Sequence, residues 1–176
     1  TIAASTTPSN DWATVKGLLT GNSVTPSPTS AVSGNTMTVK SGALTVSVSS
    51  VPIAQTIIAG ANQFLFANYI LDVTASGEDI RLTSLPVTYA FNATAAATDL
   101  TNCYLYDGST ALTSVVNPTA AGSSTRFTFT GTGLTVPKGT SKTVGLKCNL
   151  KSGATGSSNW GLDDAEDTNF TGATGL

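Results

Sequence analysis

The side chains able to do chemistry are few, and their spacing limits what they can do. Asp163, Asp164, Glu166 and Asp167 form the densest acidic cluster. Neighbouring carboxylates suit Ca²⁺, a hard cation that takes oxygen ligands. The spacing lacks the central glycine and distal glutamate of an EF-hand loop, so a solvated loop before a last strand is the plainer reading. Asp72, Glu78 and Asp79 flank a turn through Ser76-Gly77, with Arg81 as a local ionic partner. Calcium is the one ion that either set would suit, and no cofactor or metal residue is assigned. The chain has no histidine, which excludes a Ser-His-Asp triad. No lysine stands beside a distinctive serine motif, as a Ser-Lys nucleophile requires. Gly139-Thr-Ser-Lys142 lacks the glycine spacing and following helix of a phosphate loop. Paired carboxylates hydrolyse glycosides at defined separations, but these acids fall on turns, away from the aromatic residues. No catalytic residue is assigned, and an enzyme is not expected.

The remaining candidates are structural or adhesive. Cys103 and Cys148 each lie on the inward face of an alternating segment, the first with Leu105, the second with Val144, Leu146 and Leu150. Free buried thiols are the plain alternative; a disulfide is expected. It would stabilise the fold by about 4 kcal/mol in the chain-entropy treatment and would place the protein in an oxidising compartment. No further ligand-type residues accompany the pair as a zinc site requires. Tyr104 and Tyr106 share the opposite face of the Cys103 segment, as a sugar platform, a subunit interface or ordinary packing. Asn92-Ala-Thr94 and Asn169-Phe-Thr171 match the N-glycosylation triplet. O-glycans suit the Thr/Ser-rich linker.

These residues need elements to position them. Segment 21–34, GNSVTPSPTSAVSG, has the composition of an extended linker. Before it, Trp12, Val15 and Leu18/Leu19 stand at helical spacing, with Ser9 or Asn10 as a cap, although Gly17 weakens a helix; an extended arm fits equally. Trp12 in either setting reads as an anchor. From about residue 36 the period becomes two: Leu44, Val46 and Val48 alternate with Thr45, Ser47 and Ser49. Residues 63–74 are apolar on both faces, as in a central strand. Residues 78–91 form a further strand in which Pro86 marks a bulge or an edge. Strands follow at 100–107, 124–130 and 141–150, punctuated by glycines, and Leu134–Gly139 before Ser141–Val144 reads as a strand, a turn and a final core strand. Many short Thr- and Val-rich strands predict an antiparallel β-sandwich over residues 41–176, with residues 1–40 as an N-terminal arm.

Charged residues make up 10% of the 176 residues, against the usual ~25%, and the net charge is −2. Nothing in that balance attracts nucleic acid or acidic membranes. No stretch reaches the roughly 20 apolar residues that a membrane span needs. The lack of an initiating Met and of a basic, signal-type start is read as a processed, mature chain; a piece of a longer chain would look the same.

Gly42-Ala-Leu-Thr-Val46, Ala54-Gln-Thr56 and Ala59-Gly60 are followed by Glu78-Asp-Ile80 with Leu82 and Leu85. Asp99-Leu100, Asn102, Leu105 and Asp107-Gly108 come next, then Val136-Pro-Lys-Gly139 and Lys142-Thr-Val144. Over roughly residues 40–175 this pattern of turns and core positions resembles the immunoglobulin-like β-sandwich repeats of bacterial cell-surface proteins, of the S-layer-like and pilus-like kind. The resemblance implies an immunoglobulin-like fold, an extracellular structural or adhesive role, and no catalytic centre. The cysteine pair and the N-terminal arm are not part of that pattern. The expected function is a structural subunit of an extracellular filament, pilus or surface layer that polymerises with copies of itself. Its contacts would be N-terminal arm and β-strand contacts through Trp12, Met37, Val39, Leu44 and Val46. One version donates residues 34–49 to the sheet of the next subunit; the plain alternative pairs that strand within its own sandwich. The rival function is a secreted module that binds carbohydrate or a host surface.

Overall fold

The computed structural model describes residues 5–6, 15–92, 94–120, 124–162 and 173–175, without side chains for residues 5–6 and 173–175. The chain divides into two compact units, Thr1–Lys40 and Ser41–Leu176. All described secondary structure is antiparallel β apart from one 3₁₀ turn at Ala97–Asp99.

In the first unit, β1 (Ser5–Thr6) pairs with β2 (Val32–Ser33). Residues 15–24 form a hairpin, not a helical turn. Lys16 bridges Ser23, the Val24 N–H donates to Val15 O (2.9 Å), and the Gly17 N–H donates to Asn22 O (2.8 Å). Leu18, Leu19 and Thr20 make the turn, and Gly21 closes it at φ 66°, a left-handed conformation that glycine adopts without steric cost. Helical spacing therefore misleads here: Gly17 and Gly21 bracket the leucines and favour a reversal. The segment expected as linker supplies the returning half of the hairpin and β2.

In the second unit, a five-stranded sheet runs in the order β3 (Thr45–Val48), β4 (Phe64–Asp72), β11 (Ser141–Leu150), β7 (Leu100–Asp107), β8 (Thr110–Ala111). Two three-stranded sheets complete the unit. One is β12 (Ser158–Leu162), β6 (Ser84–Phe91), β9 (Ser124–Thr128); the other is β10 (Leu134–Val136), β5 (Ile80–Leu82), β13 (Ala173–Gly175). β5 and β6 are one run of chain broken at Thr83. Ile80 and Leu82 are buried before the break, and Leu85, Val87 and Tyr89 after it, so one extra residue moves the inward set by a position. The break falls at Thr83, while Pro86 stays paired with Arg126 of β9. On the other side of β6 the β12 register ends at Val87, so the proline stands beyond the last described rung on that flank, where a missing N–H costs no ladder bond.

The described inward residues of these strands, β8 and β13 apart, meet in one core. It includes Tyr69 and Leu71 of β4, Leu105 of β7, Val144 and Leu146 of β11, and Val87, Tyr89, Phe127 and Trp160 of β6, β9 and β12. Tyr89 and Trp160 pack at 4.7 Å between ring centres. Beyond Ile80, the chain enters the opposite sheet at each successive long strand, so β4 and β7 both lie beside β11 despite their separation in sequence. The pairing of β3 with β4, Thr45↔Asp72 to Val48↔Tyr69, is the within-sandwich alternative for this strand.

The second unit also contains a tight spot that predicts a mutational cost. Residues 129–133 turn the chain from β9 to β10, and Gly133 ends the turn at φ 99°, where an added Cβ would lie 2.5 Å from the Leu82 carbonyl oxygen. A methyl group there would meet backbone that cannot yield. Gly133→Ala is expected to destabilise the fold by roughly 1–3 kcal/mol. Gly131→Ala, at φ 67° with open space around it, is expected to cost about 1 kcal/mol from backbone conformation alone. Urea denaturation of the two variants compares them directly.

Candidate assembly and binding surfaces

The cysteines form a disulfide, Cys103–Cys148, with Cα atoms 4.1 Å apart. The bond joins neighbouring strands of one sheet. β7 carries an extra residue at this point: Tyr104 opposes Lys147 and Thr101 opposes Asn149, while Asn102 sits at φ 49°. Asparagine tolerates that left-handed bulge. The bulge puts both Leu100 and Cys103 on the buried side despite their odd spacing. A disulfide fits a compartment outside the reducing cytosol. Among the described residues no helix is long and apolar enough to cross a membrane.

Tyr104 and Tyr106 stand on the outer face of the same strand, their rings 5.9 Å apart and edge-on. Tyr106 donates its hydroxyl proton to Gln63 Oε1 at 2.6 Å. Gln63 Nε2 in turn donates to Asn149 Oδ1 at 3.2 Å. Lys147 donates to Gly108 O at 3.0 Å and lies 4.6 Å from the Tyr106 ring centre. The ammonium attracts the ring quadrupole and covers one face of that ring. Lys142 and Asp107 add an ion pair at 2.6 Å, a half-exposed contact worth little. The tyrosines are thus tied into a lateral network of their own sheet. The sequence signal missed its other members, Gln63, Lys147 and Asn149, because only the strand order brings them to one face.

The assembly candidates fall into distinct settings. Met37 and Val39 are 66% and 76% exposed. Leu44 and Val46 are half-buried and pack against the core of their own unit. Trp12 lies outside the described residues, as do Asn169 and the Asp163–Asp167 acidic cluster. Asn92 is exposed, in an Asx turn whose Oδ1 accepts from the Thr94 N–H (3.2 Å) and hydroxyl (3.0 Å). Among the described residues no three His, Cys, Asp or Glu side chains converge as metal ligands would. Asp72 instead accepts from Thr74 Oγ1 (2.6 Å) and the Thr74 N–H (2.9 Å), which hold its carboxyl below the usual carboxylate range, the side-chain bond first. Asp79 accepts from the Lys138 N–H at 2.9 Å. Arg81, expected to pair with these acids, projects its Nε into a buried position without a hydrogen-bond partner.

A groove of about 530 Å³ opens in the second unit between the 49–57 segment, the start of β4 and the start of β12. Its walls include Pro52, Ile53, Ile57, Phe64, Leu150 and Trp160, with Asp99 as a charged member. Ile53 remains 75% exposed. No sequence signal pointed to it, because its walls come from five separate stretches of chain. No protein-family model, curated protein or solved structure matches the chain.

Proposed function

We propose that this chain is a structural subunit of an extracellular filament, pilus or surface layer. Copies associate through β-strand and N-terminal contacts. One observation carries the reading: every large apolar side chain between Val15 and Lys40, namely Val15, Leu18, Leu19, Val24, Val32, Met37 and Val39, is exposed. A segment whose described large apolar residues are all exposed gains little from folding alone and gains much from a partner surface. The disulfide and the hydroxyl-rich, weakly charged strands support an extracellular setting, where glycans on Asn92 or Asn169 would add to the polar coat. The resemblance to immunoglobulin-like surface repeats, carried by turn and core motifs of the sequence, belongs to the same proposal, and the all-β, antiparallel architecture is consistent with it.

Large particles are therefore expected from the purified chain by light scattering and electron microscopy. The core cluster lies wholly within residues 44–162, so a chain lacking residues 1–40 is expected to fold and to remain monomeric. Persistent particles after that deletion would remove the N-terminal unit from the mechanism. The rival reading, a glycan-binding module, rests on Tyr104 and Tyr106. The Lys147 ammonium over Tyr106 and the edge-on ring pair count against a flat stacking platform there.

A further inference from the structure

Turn tips ordinarily carry Gly, Asn, Asp or Ser, whose backbone and side chains suit the reversal and the solvent. The tip of the 15–24 hairpin carries Leu18 and Leu19 instead, 100% and 97% exposed. Val15 and Val24 extend this apolar surface down the stem, where they are hydrogen-bonded to each other. Two adjacent leucines held at full exposure by a closed hairpin form an apolar knob. The second unit offers a concave site of about 530 Å³ whose walls mix apolar side chains, Pro52, Ile53, Ile57, Phe64 and Trp160, with polar ones such as Gln55 and Asn159, and whose Ile53 is uncovered. That volume lies in the range of sites that enclose a compact apolar group, roughly 300–1,000 Å³.

Charge matches as well. Lys16 stands two residues before the leucines, and Asp99 lines the groove. The contrast extends to the whole units: Lys16 and Lys40 outweigh Asp11 in residues 1–40, while acids outnumber bases in residues 41–176. Opposite charges around an apolar contact set its orientation and speed its formation.

We propose that the Leu18–Leu19 tip of one copy seats in the groove of a second copy, with Lys16 facing Asp99. This rests on the self-assembling reading above and names its contact. A knob and a hole on different parts of one chain make a head-to-tail interface, which propagates into a filament unless rotation closes a ring.

The two native cysteines are bonded to each other and no free cysteine remains, so introduced thiols report on their own. Chains carrying Leu19→Cys are mixed with chains carrying Ile53→Cys under mild oxidation. A mixed interchain disulfide is expected, and none with Val115→Cys, an exposed residue of the second unit outside the groove. A bond formed only within single chains carrying both Leu19→Cys and Ile53→Cys, with none between mixed chains, would overturn the proposal by giving the tip to its own groove. In parallel, the Leu18→Ser/Leu19→Ser chain is expected to need a concentration roughly 10²–10⁴-fold higher to form particles, with unchanged circular dichroism. Undiminished assembly of that variant would sink the knob contact and leave the structural-subunit reading standing. Absence of particles from the unaltered chain, together with no cross-link, would sink both.

Discussion

Replacing Cys103 and Cys148 together by alanine is expected to lower the unfolding free energy by about 4 kcal/mol in the chain-entropy treatment. The bridge closes a loop with a sequence separation of 45, and its effect is felt chiefly in the unfolded chain, which loses the freedom of that loop. Both residues are fully buried, with Cα atoms 4.1 Å apart on neighbouring strands. For a chain of this length the midpoint of thermal unfolding should fall by roughly 8–16 °C. Thermal unfolding of the oxidised protein and of the double variant measures it. A fall of only one or two degrees would mean that the β7–β11 ladder and its packing already restrain the unfolded chain. The particles of the assembled state should then also survive reduction.

Tyr69 carries the second large effect. Its ring is fully buried in the centre of β4, and its hydroxyl donates to Gly161 O of β12 at 3.4 Å, a polar link between the two faces of the core. Tyr69→Ala should cost about 3–5 kcal/mol, as other large aromatic truncations do, through lost burial and a cavity that the flanking strands cannot close. Tyr69→Phe keeps the ring and loses one long hydrogen bond, for about 0.5–1 kcal/mol. The two variants separate packing from polarity in one denaturation series.

The same residue sets an alkaline limit. Burial pushes the Tyr69 phenol well above its ordinary value, and burial also raises that of Tyr89, with Asp99 adding to the rise and Ser158 opposing it. A raised phenol pKa means that the folded state holds its proton where the unfolded chain releases it. Above pH ~10 the unfolded state binds fewer protons, so stability present at neutral pH falls as the pH rises. The slope from Tyr69 is at most about 1.4 kcal/mol per pH unit. Tyr69→Phe should flatten that limb. An unchanged alkaline limb in Tyr69→Phe would mean that the phenol is solvated in the native state.

The legible parts of this protein are those governed by short-range pattern. Val144, Leu146 and Cys148 alternate with Thr143, Gly145 and Lys147, and β11 buries the first three. Cys103 and Leu105 read as inward-facing from the same period, which made the disulfide legible before any strand order was known. The exception inside that segment is instructive. Leu100 and Cys103 differ by three positions, yet both are buried, because Asn102 takes a left-handed bulge that period-two counting cannot contain. At the N-terminus, spacing failed for a different reason: Val15 and Leu18/Leu19 match a helix, but Gly17 and Gly21 allow a tighter reversal whose hydrogen bonds close across the turn.

Sequence by itself determined the all-β class, most inward faces and the poverty of catalytic groups, and it favoured a cysteine pair that the structure then showed, since each depends on residue type or on a repeat of a few residues. Only the tertiary structure decided which strands are neighbours. It set Gln63 between Tyr106 and Asn149, assembled a groove from five stretches of chain, and lifted Leu18 and Leu19 onto a tip. Those arrangements join residues tens of positions apart, and the alternation of polar and apolar side chains says which face a residue occupies without saying which strand lies next to it.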